Sequence, residues 1–256
     1  MRVRLINPNT TRAMTDTIGA AARAVAASGT EIVAVNPTMG PASIESHYDE
    51  ALSVPGILEQ IAIGEAEGSD GYVVACFGDP GLDAARELAT GPVVGIAEAA
   101  FHLATLLGRR FAVVTTLSRT VGRAEDLVRQ YGFTARCDAV YAVDIPVLEL
   151  DDPASDARAA VIEQSRLAMM RPGVDAIVLG CAGMADLCAD ISREIGIPVI
   201  DGVAAATKLV ESLVSLGLTT GASDEFAAPR PKAYSGRLSE FERPEASASR
   251  TAARGR

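Results

Sequence analysis

Cys76 and Cys181 stand 105 residues apart in two stretches of one design, "DGYVVACFGDPG" (70–81) and "DAIVLGCAGMAD" (175–186). Each cysteine ends a short apolar run, and a glycine follows two residues later, Gly78 in one case and Gly183 in the other. Two such thiols facing each other across a cleft could invert an acidic carbon without a cofactor. One removes a proton and the other delivers a proton to the opposite face. Cysteine suits this exchange because its pKa lies close enough to neutrality for thiol and thiolate to coexist. The glycine lets backbone amides approach a ligand closely. A helix opening a few residues later presents free N–H groups, which are expected to lower the thiol pKa and could hold an oxyanion.

The other two thiols have no such setting. Cys137 precedes a strand-like run and Cys188 falls a helical turn or two past Cys181, so both are expected to be structural. No C-x-x-C occurs, and His47 and His102 sit near no cysteine in sequence, so no metal site is expected. Two rival readings use the pair differently. A redox sensor would join Cys76 to Cys181 in a disulfide, and a two-lobed binding protein would use the cleft without chemistry.

Net formal charge is −10, from 33 acidic against 23 basic residues, which argues against a nucleic-acid partner. "MRVRLINPNT" lacks the apolar core of a signal peptide, and no apolar run approaches the roughly 18 residues of a membrane span. The expected location is therefore cytoplasmic, with no membrane partner and with all four cysteines reduced. That expectation also weighs against a secreted binding protein.

The elements that must position these thiols alternate along the chain. Strand-like runs occur at 2–6, 31–35, 71–75, 92–96, 110–115, 139–143, 175–179 and 197–200. Helical segments separate them, including an alanine-rich stretch opened by Thr10 and Thr11 and others near 48–67, 119–131, 155–170 and 203–216. Short continuous Val/Ile/Leu runs between helices are the pattern of parallel sheets covered on both faces, so the fold class is α/β.

The pattern repeats. Residues 68–82 and 173–187 are identical at six of fifteen positions, pairing Gly68 with Gly173, Asp70 with Asp175, Val73 with Val178, Cys76 with Cys181, Gly78 with Gly183 and Leu82 with Leu187. "GPVVGIAEAA" (91–100) resembles "IPVIDGVAAA" (197–206), and "RLINPNTT" (4–11) has a partner in "AVVTTLSRT" (112–120). This predicts two pseudo-symmetric Rossmann-like lobes with mainly parallel sheets and the active site in the cleft between them. The expected boundaries are 1–97 plus about 206–220 for the first lobe and 98–205 for the second. A C-terminal tail covers 221–256, and its end, 243–256, has the composition of a disordered segment.

With these residues in view, the chain resembles the aspartate/glutamate/hydantoin racemase superfamily, in its hydantoin and allantoin racemase branch. The resemblance rests on "INPNTT" (6–11), "GPASIES" (40–46), "ACFGDPGLDAARE" (75–87), "PVVGIAEAA" (92–100), "FAVVTT" (111–116), "LGCAGMADL" (179–187) and "PVIDGVAAA" (198–206). Phe-Gly-Asp and Ala-Gly-Met follow the two cysteines, where amino-acid racemases of the superfamily carry C-N-T and C-T motifs. The resemblance implies a racemase that needs neither metal nor pyridoxal phosphate, with Cys76 and Cys181 as proton donor and acceptor. It implies a small-molecule substrate, a 5-substituted hydantoin such as allantoin, and assembly into homo-oligomers. Deprotonation at C5 would place charge on the C4 carbonyl oxygen, for which the amides of Phe77, Gly78, Ala182 and Gly183 are candidate donors.

Further candidates surround these. Asn7 and Asn9 could bind a ring amide edge or serve the turn, and Thr115 and Thr116 occupy the matching edge of the other lobe. Ser43 and Glu45 lie on a loop that could border the site, with Glu45 expected to be simply solvated. Asp79 could orient a ring N–H or cap the helix starting near Pro80. Asp201 and Gly202 could line the cleft or turn the chain. No Arg or Lys lies close to either cysteine in sequence, which favours a neutral substrate. Amino-acid racemisation, or another isomerisation in the same superfamily, is the main rival activity.

Overall fold

The computed structural model describes residues 1–151 and 155–242. Its eight strands form two four-stranded sheets in which every pairing is parallel. The first contains β1 (Arg2–Ile6), β2 (Glu31–Val35), β3 (Gly71–Val74) and β4 (Val93–Gly95), in the order β2-β1-β3-β4. The second contains β5 (Phe111–Thr115), β6 (Cys137–Ala142), β7 (Ala176–Leu179) and β8 (Val199–Ile200), in the order β6-β5-β7-β8. The two orders are one topology used twice, in an α/β fold of two like lobes. Strands β3, β5 and β7 are buried along their whole length, as parallel strands sandwiched between helices must be.

Register decides where the site can form. Ile6 pairs with Val74 at the ends of β1 and β3, and Val114 with Leu179 at the ends of β5 and β7. The loops that follow these four strands therefore leave at one edge of each sheet, the carboxyl edge where open α/β sheets hold ligands. The repeated residues have matched work at the opposite edge. Gly68 and Gly173 both take the left-handed conformation, with φ of 76° and 84°. The carboxylates of Asp70 and Asp175 then accept backbone N–H groups at the start of the neighbouring strand, from Arg2 at 2.7 Å and Arg110 at 3.2 Å.

Among the described residues eight helices cover the sheets: α1 (Arg12–Val25), α2 (His47–Glu67), α3 (Leu82–Leu88), α4 (Ile96–Leu107), α5 (Ser118–Gln130), α6 (Ala157–Met169), α7 (Cys188–Ile195) and α8 (Gly202–Ser215). Two of them are exchanged. Helix α4 follows the last strand of the first sheet but packs on β7 and β8, whereas α8 follows the last strand of the second sheet and packs on β3, β4 and α1. The alanines at 97, 99, 100 and 104 are buried, so α4 can lie close against its neighbours. Phe101, fully buried on α4, meets the rings of Phe77, Phe111, Tyr131 and Phe133 at centroid distances of 5.6, 5.3, 6.3 and 6.0 Å. This aromatic cluster joins the turn after β3 to β5 and to the end of α5. Burying one such ring contributes about 2 to 3 kcal/mol, with about 1 kcal/mol more from ring–ring geometry.

Asp201 turns the chain into α8 by capping it, its carboxylate accepting the N–H groups of Val203 and Ala204 at 2.9 Å each. Beyond α8 the described chain runs over the surface with two 3-10 turns, Asp224–Phe226 and Gly236–Phe241. The segment expected to form a disordered end, 243–256, lies outside the described residues. Among the described residues no helix is long and apolar enough to cross a membrane.

Candidate active site

The loops at the carboxyl edges of both sheets enclose one pocket, and both Cys76 and Cys181 line it. Each cysteine sits two residues past the end of its strand, in a turn closed the same way. The Asp79 N–H donates to the Cys76 carbonyl at 3.0 Å, and the Met184 N–H donates to the Cys181 carbonyl at 3.2 Å. The residues just before each thiol are held alike. Ala75 N–H reaches the Ile6 carbonyl at 2.8 Å, and Gly180 N–H reaches the Val114 carbonyl at 2.7 Å. The two thiols are thus presented by equivalent turns from different sheets, near enough for the charge of one to bear on the other.

The acidity of the first thiol runs against expectation. Burial pushes Cys76 up to about 12, opposed by the Gly78 N–H directed at its sulfur and reinforced by the charges of Cys181, Glu50 and Asp79. No long helix starts at the turn: α3 begins only at Leu82 and spans seven residues, so its N-terminal field is weak at Cys76. Desolvation therefore prevails over the dipole, and the resting Cys76 is a protonated thiol.

The other expected site residues separate into two groups. Asn7, Asn9, Phe77, Gly78, Thr115, Thr116 and Ala182 line the pocket, whereas Ser43, Asp79 and Gly183 do not. Asn7 is spent on the turn, donating to Asn9 Oδ1 at 2.9 Å and to the Thr15 hydroxyl at 3.0 Å. Asn9 Oδ1 accepts the Thr11 N–H at 2.9 Å, while its Nδ2 faces only the weakly accepting sulfur of Met14 at 3.1 Å. That amide group is the one with capacity left for a ligand carbonyl. Thr115 donates to the Gly180 carbonyl at 3.1 Å, tying the two second-lobe loops together. The ring of Phe77 is 6% exposed and packs edge-on against Phe101, so this residue offers the pocket chiefly its backbone.

Asp79 corrects the sequence reading most clearly. It is 3% exposed, has a φ of 44°, and caps α4 rather than the helix beside Pro80. Its carboxyl accepts the N–H groups of Ala97 at 3.1 Å and Glu98 at 2.9 Å, and the Tyr131 hydroxyl at 2.8 Å. Ser43 stops short of the pocket although its neighbours Ile44 and Ser46 reach it. Gly183 lies beside Cys181, where a Cβ would press on Leu150 at 3.2 Å and lie 3.8 Å from the Cys181 sulfur. Glu45, expected to be solvated, accepts the Val147 N–H at 2.9 Å and so joins the first-lobe loop to the 3-10 turn Val147–Asp151 of the second lobe. Cys137 begins β6 rather than preceding it, and the Cys188 thiol faces the Val199 carbonyl at 2.9 Å.

Four charged or ionisable residues of the pocket were not among the expected site residues: His47, Glu50, Arg119 and Arg123. His47 and Glu50 share a face of α2 at spacing i, i+3, and Arg119 and Arg123 share one of α5 at i, i+4. That spacing is a signal, but nothing in the chain says which face points at the cleft. Arg123 donates from Nε and Nη2 to the Gly78 carbonyl at 3.1 and 2.6 Å, and Nη2 lies 2.9 Å from Glu50 Oε1. A guanidinium of the second lobe thus grips the turn that carries Cys76. Among the described residues no group of three or more His, Cys, Asp or Glu side chains could hold a metal ion.

Comparison with known proteins identifies the family. Residues 3–210 match the family model for Asp/Glu/Hydantoin racemase. A hydantoin racemase of Rhizobium meliloti is 48% identical over 236 residues, covering 92% of this chain and 98% of the relative. The solved allantoin racemase from Klebsiella pneumoniae superposes with a TM-score of 0.93 at 56% identity, covering 94% of this chain and 99% of that one. The allantoin racemase of Pseudomonas fluorescens gives 0.88 at 40% identity, over 92% of this chain and 100% of the other. The chain belongs to the Asp/Glu/hydantoin racemase family.

Proposed function

We propose that this racemase inverts C5 of 5-substituted hydantoins, allantoin among them, with Cys76 and Cys181 as the opposed acid and base. The observation that carries the reading is the pair of equivalent turns, each closed on its cysteine carbonyl and each presenting its thiol to one pocket from a different sheet. The named activities of the relatives, hydantoin racemase and allantoin racemase, support the choice of ring.

A thiolate on one side takes the C5 proton, and the C–H electron pair moves into the ring to give an enolate with its charge on the C4 oxygen. The thiol on the other side then protonates C5 from the opposite face, and the enolate electrons return to carbon. Each turnover leaves the thiol and thiolate exchanged, so no metal, cofactor or redox partner enters the balance. Cys76 starts as the donor because burial holds it protonated. The amides of Phe77 and Ala182 and the Asn9 side chain, all in the pocket lining, would then donate to the ring oxygens. The Gly78 N–H is directed at the Cys76 sulfur instead, where it favours the thiolate when that side must act as base.

The test uses the single variants Cys76→Ser and Cys181→Ser with each enantiomer of 5-benzylhydantoin and of allantoin in deuterated buffer. Racemisation should fall by about 100-fold or more in both. Exchange of the C5 proton should persist for one enantiomer in one variant and for the mirror enantiomer in the other, because the surviving thiolate faces only one of them. Full racemisation by either variant would sink the two-thiol scheme. No acceleration of any hydantoin by the unaltered enzyme would sink the ring assignment.

A further inference from the structure

Phe77, Ala182 and Asn9 line the pocket, and their amide N–H groups are the donors assigned above to the ring oxygens. A hydantoin ring carries carbonyl oxygens that such donors satisfy, but also N–H groups that need an acceptor. Burying an N–H without one costs about 1 to 3 kcal/mol. Among the described residues lining the pocket, Glu50 is the only carboxylate. Resting on the ring assignment above, we infer that Glu50 accepts a ring N–H of the substrate.

Three features of its setting support this. The Glu50 side chain is 18% exposed, held in the pocket wall by the first turn of α2. Arg123 engages its Oε1 at 2.9 Å, which fixes the carboxylate in place. A Cβ added to Gly78 would lie 3.7 Å from Oε2 and 3.8 Å from Oε1, so the carboxylate stands over the backbone two residues past the catalytic thiol. A charged acceptor in a fixed position forms a stronger hydrogen bond than a neutral one.

If the Glu50–Arg123 pair served only to hold the lobes together, its loss would slow all substrates alike. N-methylated rings separate the two roles. The experiment compares kcat/KM for 5-benzylhydantoin with its 1-methyl and 3-methyl derivatives, in the unaltered enzyme and in Glu50→Gln and Glu50→Ala. In the unaltered enzyme methylation at one ring nitrogen should cost about 10- to 100-fold, the range for a hydrogen bond to a charged group. That penalty should shrink to a few-fold in Glu50→Ala and fall between the two in Glu50→Gln. Penalties at both nitrogens that stay unchanged in both variants overturn the assignment, because the methyl group then acts through bulk alone. An unaltered enzyme that racemises no hydantoin overturns the ring assignment itself, a distinct result.

Discussion

Asp79 sits behind the Cys76 turn with a carboxyl whose charge is poorly solvated, and its replacement by asparagine has a calculable pH signature. Burial outweighs the three donors it accepts and pushes this carboxyl up to about 7, from an ordinary 3.8. In the unfolded chain Asp79 ionises near its ordinary value, while in the fold it keeps its proton until about pH 7. Across that window the folded state binds the extra proton. Stability present below about pH 4 is therefore lost as pH rises through the folded pKa. Each pKa unit corresponds to about 1.4 kcal/mol, so the whole window amounts to about 4 kcal/mol. Asparagine does not titrate and shows no such loss. The cost of Asp79→Asn, measured by urea unfolding of both proteins, should accordingly shrink by about 2 to 3 kcal/mol between pH 5 and pH 7. A cost that is constant over that range, or that grows with pH, would refute the account of a buried carboxyl held protonated.

Two substitutions probe the packing around the same turn. A Cβ on Gly95 would come within 2.4 Å of the Asp79 carboxyl, so Gly95→Ala should dislodge the α4 cap and cost about 2 to 4 kcal/mol, read as a lower urea midpoint. Phe101→Ala removes the ring at the centre of the aromatic cluster and should cost about 3 to 5 kcal/mol in thermal or urea unfolding. Racemisation should weaken with it, since Phe77 rests on that ring. An unchanged midpoint in either variant contradicts the packing described.

The duplicated scaffold was legible because the repeat pairs residues that do the same local work, a left-handed glycine, a strand-capping aspartate, a core valine and a thiol. Their roles are settled within a few residues of chain, so the same letters at the same spacing carry the information. The parallel α/β class could likewise be read, since short apolar strands alternate with helices. What the chain hid depended on distance in sequence. Asp79 caps a helix that starts at Ile96, not the nearer one, because α4 is drawn under the turn by its contacts with the second sheet. Glu50 and Arg123 meet across the cleft from helices more than seventy residues apart, so a local search for charge beside the cysteines finds neither. The direction of the Cys76 shift depends on how completely neighbours exclude water, which neighbouring letters do not record.

The exchange of α4 and α8 makes each lobe depend on the other. Each helix covers the other lobe's sheet, the geometry that a helix-swapped dimer of identical subunits would have. In such a pair each subunit contributes one thiol, and the two-fold axis forces both faces of the bound molecule into identical surroundings. A single chain is free of that constraint. Phe-Gly-Asp differs from Ala-Gly-Met, and the Glu50–Arg123 pair stands beside the first turn, so two like lobes enclose a pocket with unlike sides.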